Sequence, residues 1–168
     1  APNCSSADFY AMSILDLVLL NGESSRLHRR LVREEQLAIQ VRGGISETID
    51  PYLFTVSVKP RVGADLQKME TVIEEELAKV VQTGITEKEF QKAKNMIRSQ
   101  FYSGLQTISG KARQLGAAEI LYGNYENLFT QMDRYAAVPI GQVKDVAGKY
   151  FTENNKTVGR LIPQGGAQ

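Results

Sequence analysis

Apolar positions run almost unbroken from Phe9 to Leu20, interrupted by Ser13 and Asp16 and ended by Asn21-Gly22. The pattern predicts a helix from about Ala7 to Leu20, with Ser5, Ser6 and Asp8 as N-cap chemistry. A helix apolar on all sides is covered on most of them, so it is placed centrally, against the face of a sheet. The next stretch, Asn21 to Gly44 (NGESSRLHRRLVREEQLAIQVRGG), changes period part-way. Ser24 or Ser25 caps a helix in which Leu27, Leu31 and Glu34 or Glu35 share a face. From Leu37 the period drops to two, with Leu37, Ile39 and Val41 pointing one way and Ala38, Gln40 and Arg42 the other. A helix feeding directly into a strand is the expectation, and the rest of the chain is organised around it.

After a polar loop from Ile45 to Pro51, Tyr52–Lys59 (YLFTVSVK) alternates again and predicts a second strand, antiparallel to the one at 37–43. Leu66, Met69, Ile73, Leu77 and Val80 then form the stripe of an amphipathic helix ended by Thr83-Gly84. Thr86 and Glu89 make a T-x-x-E capping box, with Ile85 and Phe90 at the positions of a hydrophobic staple. The helix they open carries Phe90, Ala93, Ile97, Phe101, Leu105 and Ile108 on one face, with Gly104 and Gly110 as points of bending or interruption. Shorter helices are expected around Ala112–Leu121, Tyr125–Tyr135 and Ile140–Tyr150, the last introduced by Pro139. Lys156–Ile162 reads as a final strand closed by Pro163, and residues 164–168 as a frayed tail.

Helix, helix, strand, strand, several helices and a strand imply an α+β domain over residues 1–163, with helices covering one face of an antiparallel sheet. Three strands are few for this much helix, so a further strand is expected from sequence before Ala1. The start, Ala-Pro-Asn without Met, fits an excised piece of a longer chain. A length of 168 residues suits one domain with a full core. The apolar run Phe9–Leu20 is shorter than the roughly 20 residues that cross a bilayer, so no membrane span is expected. A net charge of +1 gives no global attraction for nucleic acid. Cys4 is the single cysteine, so no internal disulfide forms and the redox compartment stays open.

The motifs of metal and nucleophile chemistry are missing. His28 is the single histidine, where a catalytic zinc takes three protein ligands. There is no H-E-x-x-H, H-x-x-E-H, G-x-S-x-G or phosphate-binding glycine loop. Arg26, His28, Arg29 and Arg30 sit toward the N-terminus of their helix and Glu34 and Glu35 at its end, the unfavourable order for the macrodipole at about 0.3–1 kcal/mol per charge. Two readings stand side by side: a solvated helix with pairs such as Arg30–Glu34, or arginines facing an acidic partner surface or a substrate carboxylate. The acidic run 74–76 reads as a solvated helix face, and Tyr122 and Tyr125 as packing residues.

One family combines these features. SSRLHRRLVREEQLA, preceded by an apolar helix ending in LLNG and followed by GITEKEFQKAKNMI, AEILYGNYE and YFTENNKTVGRLIP, resembles the second domain of the pitrilysin/insulinase family of inverted zinc peptidases. The likeness covers nearly the whole chain and is closest to the shorter bacterial members built of two such domains. It implies one half of an α+β sandwich that clasps a peptide-sized chamber. The zinc and its H-x-x-E-H helix are implied for a homologous half in the same or a partner chain, and this chain for closing the chamber on a peptide substrate. No cofactor, catalytic residue or metal ligand is then expected here. Many members carry an Arg and a Tyr, seven residues apart, at the helix-to-strand junction. An ungapped alignment puts Val32 and Ile39 in those slots, and Arg33 takes the Arg slot if the junction is one residue shorter. Ile39 cannot donate a hydrogen bond to a developing oxyanion. Arg33, Gln40 and Arg42 are the polar residues left there to contact substrate. The alternative is a non-catalytic structural or partner subunit of a two-chain processing peptidase or assembly complex, and a dimer fits either reading. The resemblance leaves the compartment open between bacterial periplasm and cytoplasm.

Overall fold

A computed structural model describes residues 1–162, so Pro163 and the tail expected to fray lie outside the described residues. The central element is α1 (Ala7–Leu19), capped by Ser6, whose hydroxyl accepts from the Asp8 N–H at 3.3 Å. Phe9, Met12, Ile14, Leu15 and Leu19 are fully buried, as its all-round apolar pattern requires. Its cover is mostly helical, from α4 (Glu87–Gly104) and α7 (Ile140–Tyr150), with the sheet meeting only part of it. The expectation of a helix lying on a sheet face is corrected to a helix enclosed chiefly by helices.

α2 (Arg26–His28) runs on as a wider π-helical turn, Arg29–Glu34, in which the Glu35 N–H reaches back to the Arg30 carbonyl at 2.8 Å. Ser25 occupies the N-cap position, yet its buried hydroxyl makes no capping bond. Gln36, at φ 52°, turns the chain out of the helix into β1 (Ala38–Gly44). β1 pairs antiparallel with β2 (Thr55–Pro60), and the two form the one sheet of the described residues. Phe54, Val56 and Val58 pack their inner side on the core.

Two corrections concern strands. Tyr52 to Phe54 precede the ladder and do not join it. Among the described residues Lys156–Ile162 is extended and pairs with no strand; its cations lie against α3 (Leu66–Thr83). Lys156 Nζ lies 2.5 Å from Glu74, and Arg160 bonds Gln67 at 2.8 Å and pairs with Glu70. Val158, Leu161 and Ile162 are left exposed along it.

The capping box predicted at Thr86 is present, with the Thr86 N–H donating to Glu89 Oε2 at 2.8 Å and the Glu89 N–H to Thr86 Oγ1 at 3.3 Å. Ile85 and Phe90 are both buried beside it. The helix breaks after Gly104, and α5 (Ile108–Tyr122) restarts with Thr107 accepting from the Gly110 N–H at 3.0 Å. The two helices meet so closely that a Cβ on Gly110 would lie 2.1 Å from the Gly104 carbonyl oxygen. Ile108, expected on the buried face of one long helix, is 89% exposed as a result. α6 (Asn127–Ala137) and α7 follow close to their expected bounds. Tyr122 packs half-buried and donates to Glu47 at 3.3 Å, whereas Tyr125 is exposed.

Candidate functional site at the helix-to-strand junction

The charges of the junction helix are consumed inside the fold. The Arg26 guanidinium grips both carboxylate oxygens of Glu89 at 2.7 Å, which holds the Glu89 carboxyl down at about 2. Arg30 reaches Glu76 at 2.9 Å and Glu75 at 3.1 Å on α3, and Glu76, 3% exposed, also accepts from Lys79 at 2.7 Å. The acidic run 74–76 is therefore a docking surface for Arg30 and Lys156, which corrects its reading as a solvated face. Arginine's fork suits such paired contacts, and they offset the unfavourable order of charges along the helix. His28 is spent locally, with Nδ1 3.1 Å from the Glu23 carbonyl.

The strand that follows is not phased as its alternation suggests. Ala38 lies opposite Pro60 and Gln40 opposite Lys59, so Ile39 is an extra, unpaired residue in a β-bulge. The bulge shifts the pleat: Ala38 and Val41 are buried, while Ile39 is 55% exposed. Ile39 and Val41 thus lie on opposite faces. Gln40 is half-buried and Arg42 exposed, and both stand on the outward face of β1, opposite Lys59 and Ser57. Val32 is half-buried against the core. Arg33 is exposed and paired with Glu23. The fold brings Gln40 and Arg42 onto one face and leaves Arg33 engaged elsewhere.

Asp16 joins this region from α1. A cleft of about 300 Å³ opens between the end of α1 and β1, with Asp16, Asn21, Val41 and Arg42 among its walls. Asp16 Oδ2 accepts a long bond from the Ile45 N–H at 3.4 Å, and its buried Oδ1 has no partner. Burial pushes the carboxyl up to about 6. Nothing in the local sequence marked Asp16 as a part of this site; only the approach of Gly43-Gly44 does.

Comparison with known proteins decides what this arrangement belongs to. Residues 1–97 match the family profile described as the Peptidase M16 inactive domain. The chain belongs to this family. It is 30% identical to an uncharacterized zinc protease of Mycobacterium leprae over 91% of the chain and 34% of the relative. A second uncharacterized zinc protease, from Bacillus subtilis, is 29% identical over 86% of the chain and 35% of the relative. The chain thus spans about a third of the length of these curated relatives. The fold is shared with an inactive peptidase domain of a putative zinc protease from Bordetella parapertussis, at TM-score 0.86 and 24% identity, covering 97% of this chain and 88% of the other. A Helicobacter pylori protease aligns at TM-score 0.83 and 22% identity, covering 92% of this chain and 37% of that one.

The zinc of the M16 relatives does not fit this inactive domain. Among the described residues no group of three His, Cys, Asp or Glu side chains is placed to hold a metal ion. The one histidine is turned to a backbone carbonyl, and the one cysteine is buried with its Sγ 3.7 Å from the Leu121 carbonyl oxygen. No helix among the described residues is long and apolar enough to cross a membrane.

Asp16 gives the first prediction. Its proton is held more tightly in the folded than in the unfolded chain, so its burial costs nothing below about pH 4, costs more as pH rises toward 6, and costs most above that. Asp16→Asn should therefore stabilise the chain by about 1–2 kcal/mol at neutral pH and by nothing at pH 4. Urea unfolding at several pH values checks this; a variant less stable than wild type at neutral pH would contradict it.

Proposed function

We propose that this chain is the substrate-enclosing half of a zinc-dependent metallopeptidase. The zinc and the hydrolysis belong to a homologous half in the same or a partner chain, where a metal-bound water attacks the peptide bond. The observation that supports this reading is membership of the inactive-domain family by a chain that aligns with only about a third of the length of relatives named as zinc proteases. Gln40 and Arg42, on the exposed face of β1, are the side chains offered to a peptide in the closed chamber. Arg33 is the third, exchanging its exposed and therefore weak pairing with Glu23 for substrate. Val32 and Ile39 carry no donor, so transition-state stabilisation falls to the zinc-bearing half.

The test is reconstitution. The zinc-bearing half is assayed for cleavage of a generic peptide with and without this chain, and this chain alone after zinc loading. Cleavage that needs both halves supports the proposal. Equal cleavage without this chain would assign it to the structural-subunit reading, and zinc-dependent cleavage by this chain alone would overturn the division of labour.

A further inference from the structure

We propose that the outward face of the β1–β2 ladder is a docking surface for an acidic peptide in extended conformation, an inference that rests on the substrate-enclosing reading and specifies its substrate. The bulge creates this face. With Ile39 unpaired and Gln40 opposite Lys59, the period of two places Gln40 and Arg42 of β1 beside Ser57 and Lys59 of β2. Arg61 follows directly after the ladder, exposed, with its N–H bonded to the Leu37 carbonyl at 2.9 Å. Ser57, Lys59, Arg61, Arg42 and Ile39 are all exposed there.

Its charge is uncompensated. Arg26, Arg29, Arg30 and Arg33 each hold a carboxylate within the fold, whereas Arg42, Lys59 and Arg61 form no ion pair among the described residues. Neither strand contains an Asp or Glu, so Arg42 and Lys59 share one face, with Arg61 exposed just beyond its end, in a chain whose net charge is only +1. Residues two apart on a strand repeat at about 6.6 Å, which is also the repeat of alternate side chains in an extended peptide laid alongside. Carboxylates of such a peptide meet Lys59 on one strand and Arg42 on the other, with Arg61 in reach of the peptide's end. Gln40 and Ser57 supply hydrogen bonds between the cations, and Ile39 gives an apolar contact at the bulge. The face has no aromatic ring on which a base could stack, which sets it apart from single-strand nucleic-acid platforms.

The experiment is fluorescence anisotropy with the 168-residue chain and three labelled peptides of one length, carrying Glu, Gln or Lys at alternate positions. The Glu peptide should bind at least roughly tenfold tighter than the Gln peptide, and added salt should weaken it. The double charge reversal Arg42→Glu with Lys59→Glu should reverse the preference toward the Lys peptide. Because both side chains are exposed, the melting temperature should stay near that of wild type; the single variant Lys59→Gln, with an intermediate affinity, covers the case in which the double variant does not fold. Equal binding of the Glu and Gln peptides, an unchanged affinity in both variants, or an oligonucleotide outcompeting the Glu peptide would overturn the inference. Loss of Glu-peptide preference alongside two-half cleavage of a neutral peptide counts against this surface alone. Glu-peptide binding without two-half cleavage counts against the enclosing role alone.

Discussion

Arg30→Ala is expected to lower the unfolding free energy by about 3 kcal/mol, because removing one partner of a buried pair strands the other charge. Glu76 is 3% exposed and would keep Lys79, itself half-exposed, as its direct partner, with Arg26 as a more distant positive charge. The same substitution frees Glu75 and leaves the Lys68–Glu35 pair, at 2.7 Å, as the ion pair joining the junction helix to α3. Equilibrium unfolding in urea measures the loss. Combining Arg30→Met with Glu76→Leu should recover most of it, since a well-packed apolar pair avoids the desolvation that both charges suffer. A single variant within about 0.5 kcal/mol of wild type, the range of ordinary surface changes, would show that Glu76 finds water or another cation.

Gly44→Ala is the second large effect. Gly44 sits at φ +119°, a conformation that a side chain disfavours, and an added Cβ would lie 2.3 Å from Asp16 Oδ2. Backbone strain of about 1–2 kcal/mol and overpacking of about 1–3 kcal/mol together predict a loss of about 3 kcal/mol. The two parts are separable. Asp16→Ala removes the obstructing carboxylate and leaves the φ unchanged, so the double variant should recover the packing part alone. A double-mutant cycle with no coupling between the positions would mean that the strand end moves away from α1 and the contact is not tight.

These two sites show where sequence reading stops. The helix of α1, the stripe of α3, the capping box at Thr86 and the junction of helix with strand were all legible, because each rests on contacts within a few residues. The family was legible from the same local pieces taken in order. At the candidate site, the stretch was legible and its details were not. Leu37, Ile39 and Val41 alternate without fault, yet the bulge turns Ile39 outward and keeps Ala38 and Val41 inside. Arg33 carries the charge expected of a substrate contact but is held by Glu23. Lys59 was legible only as the last position of an expected strand and Arg61 as a residue after it; Lys59 gains meaning by standing across from Gln40.

What the sequence by itself determined is the set of elements, the apolar character of the central helix and membership of an inactive peptidase domain lacking the zinc motif. The elements and the central helix depend on periodicity and capping, which act over one or two turns or a few strand residues, whereas the family follows from the resemblance of the quoted motifs in their order. The tertiary structure decided which charges are spent and which are free. Arg26 and Arg30 meet acids 45 to 63 positions away, and Lys156 and Arg160 lie against α3. Among the described residues Arg42 and Lys59 are left without an acid on the outward face that the register of the two strands sets. Ion pairing depends on proximity in space, and proximity across the fold is settled only when the core has packed.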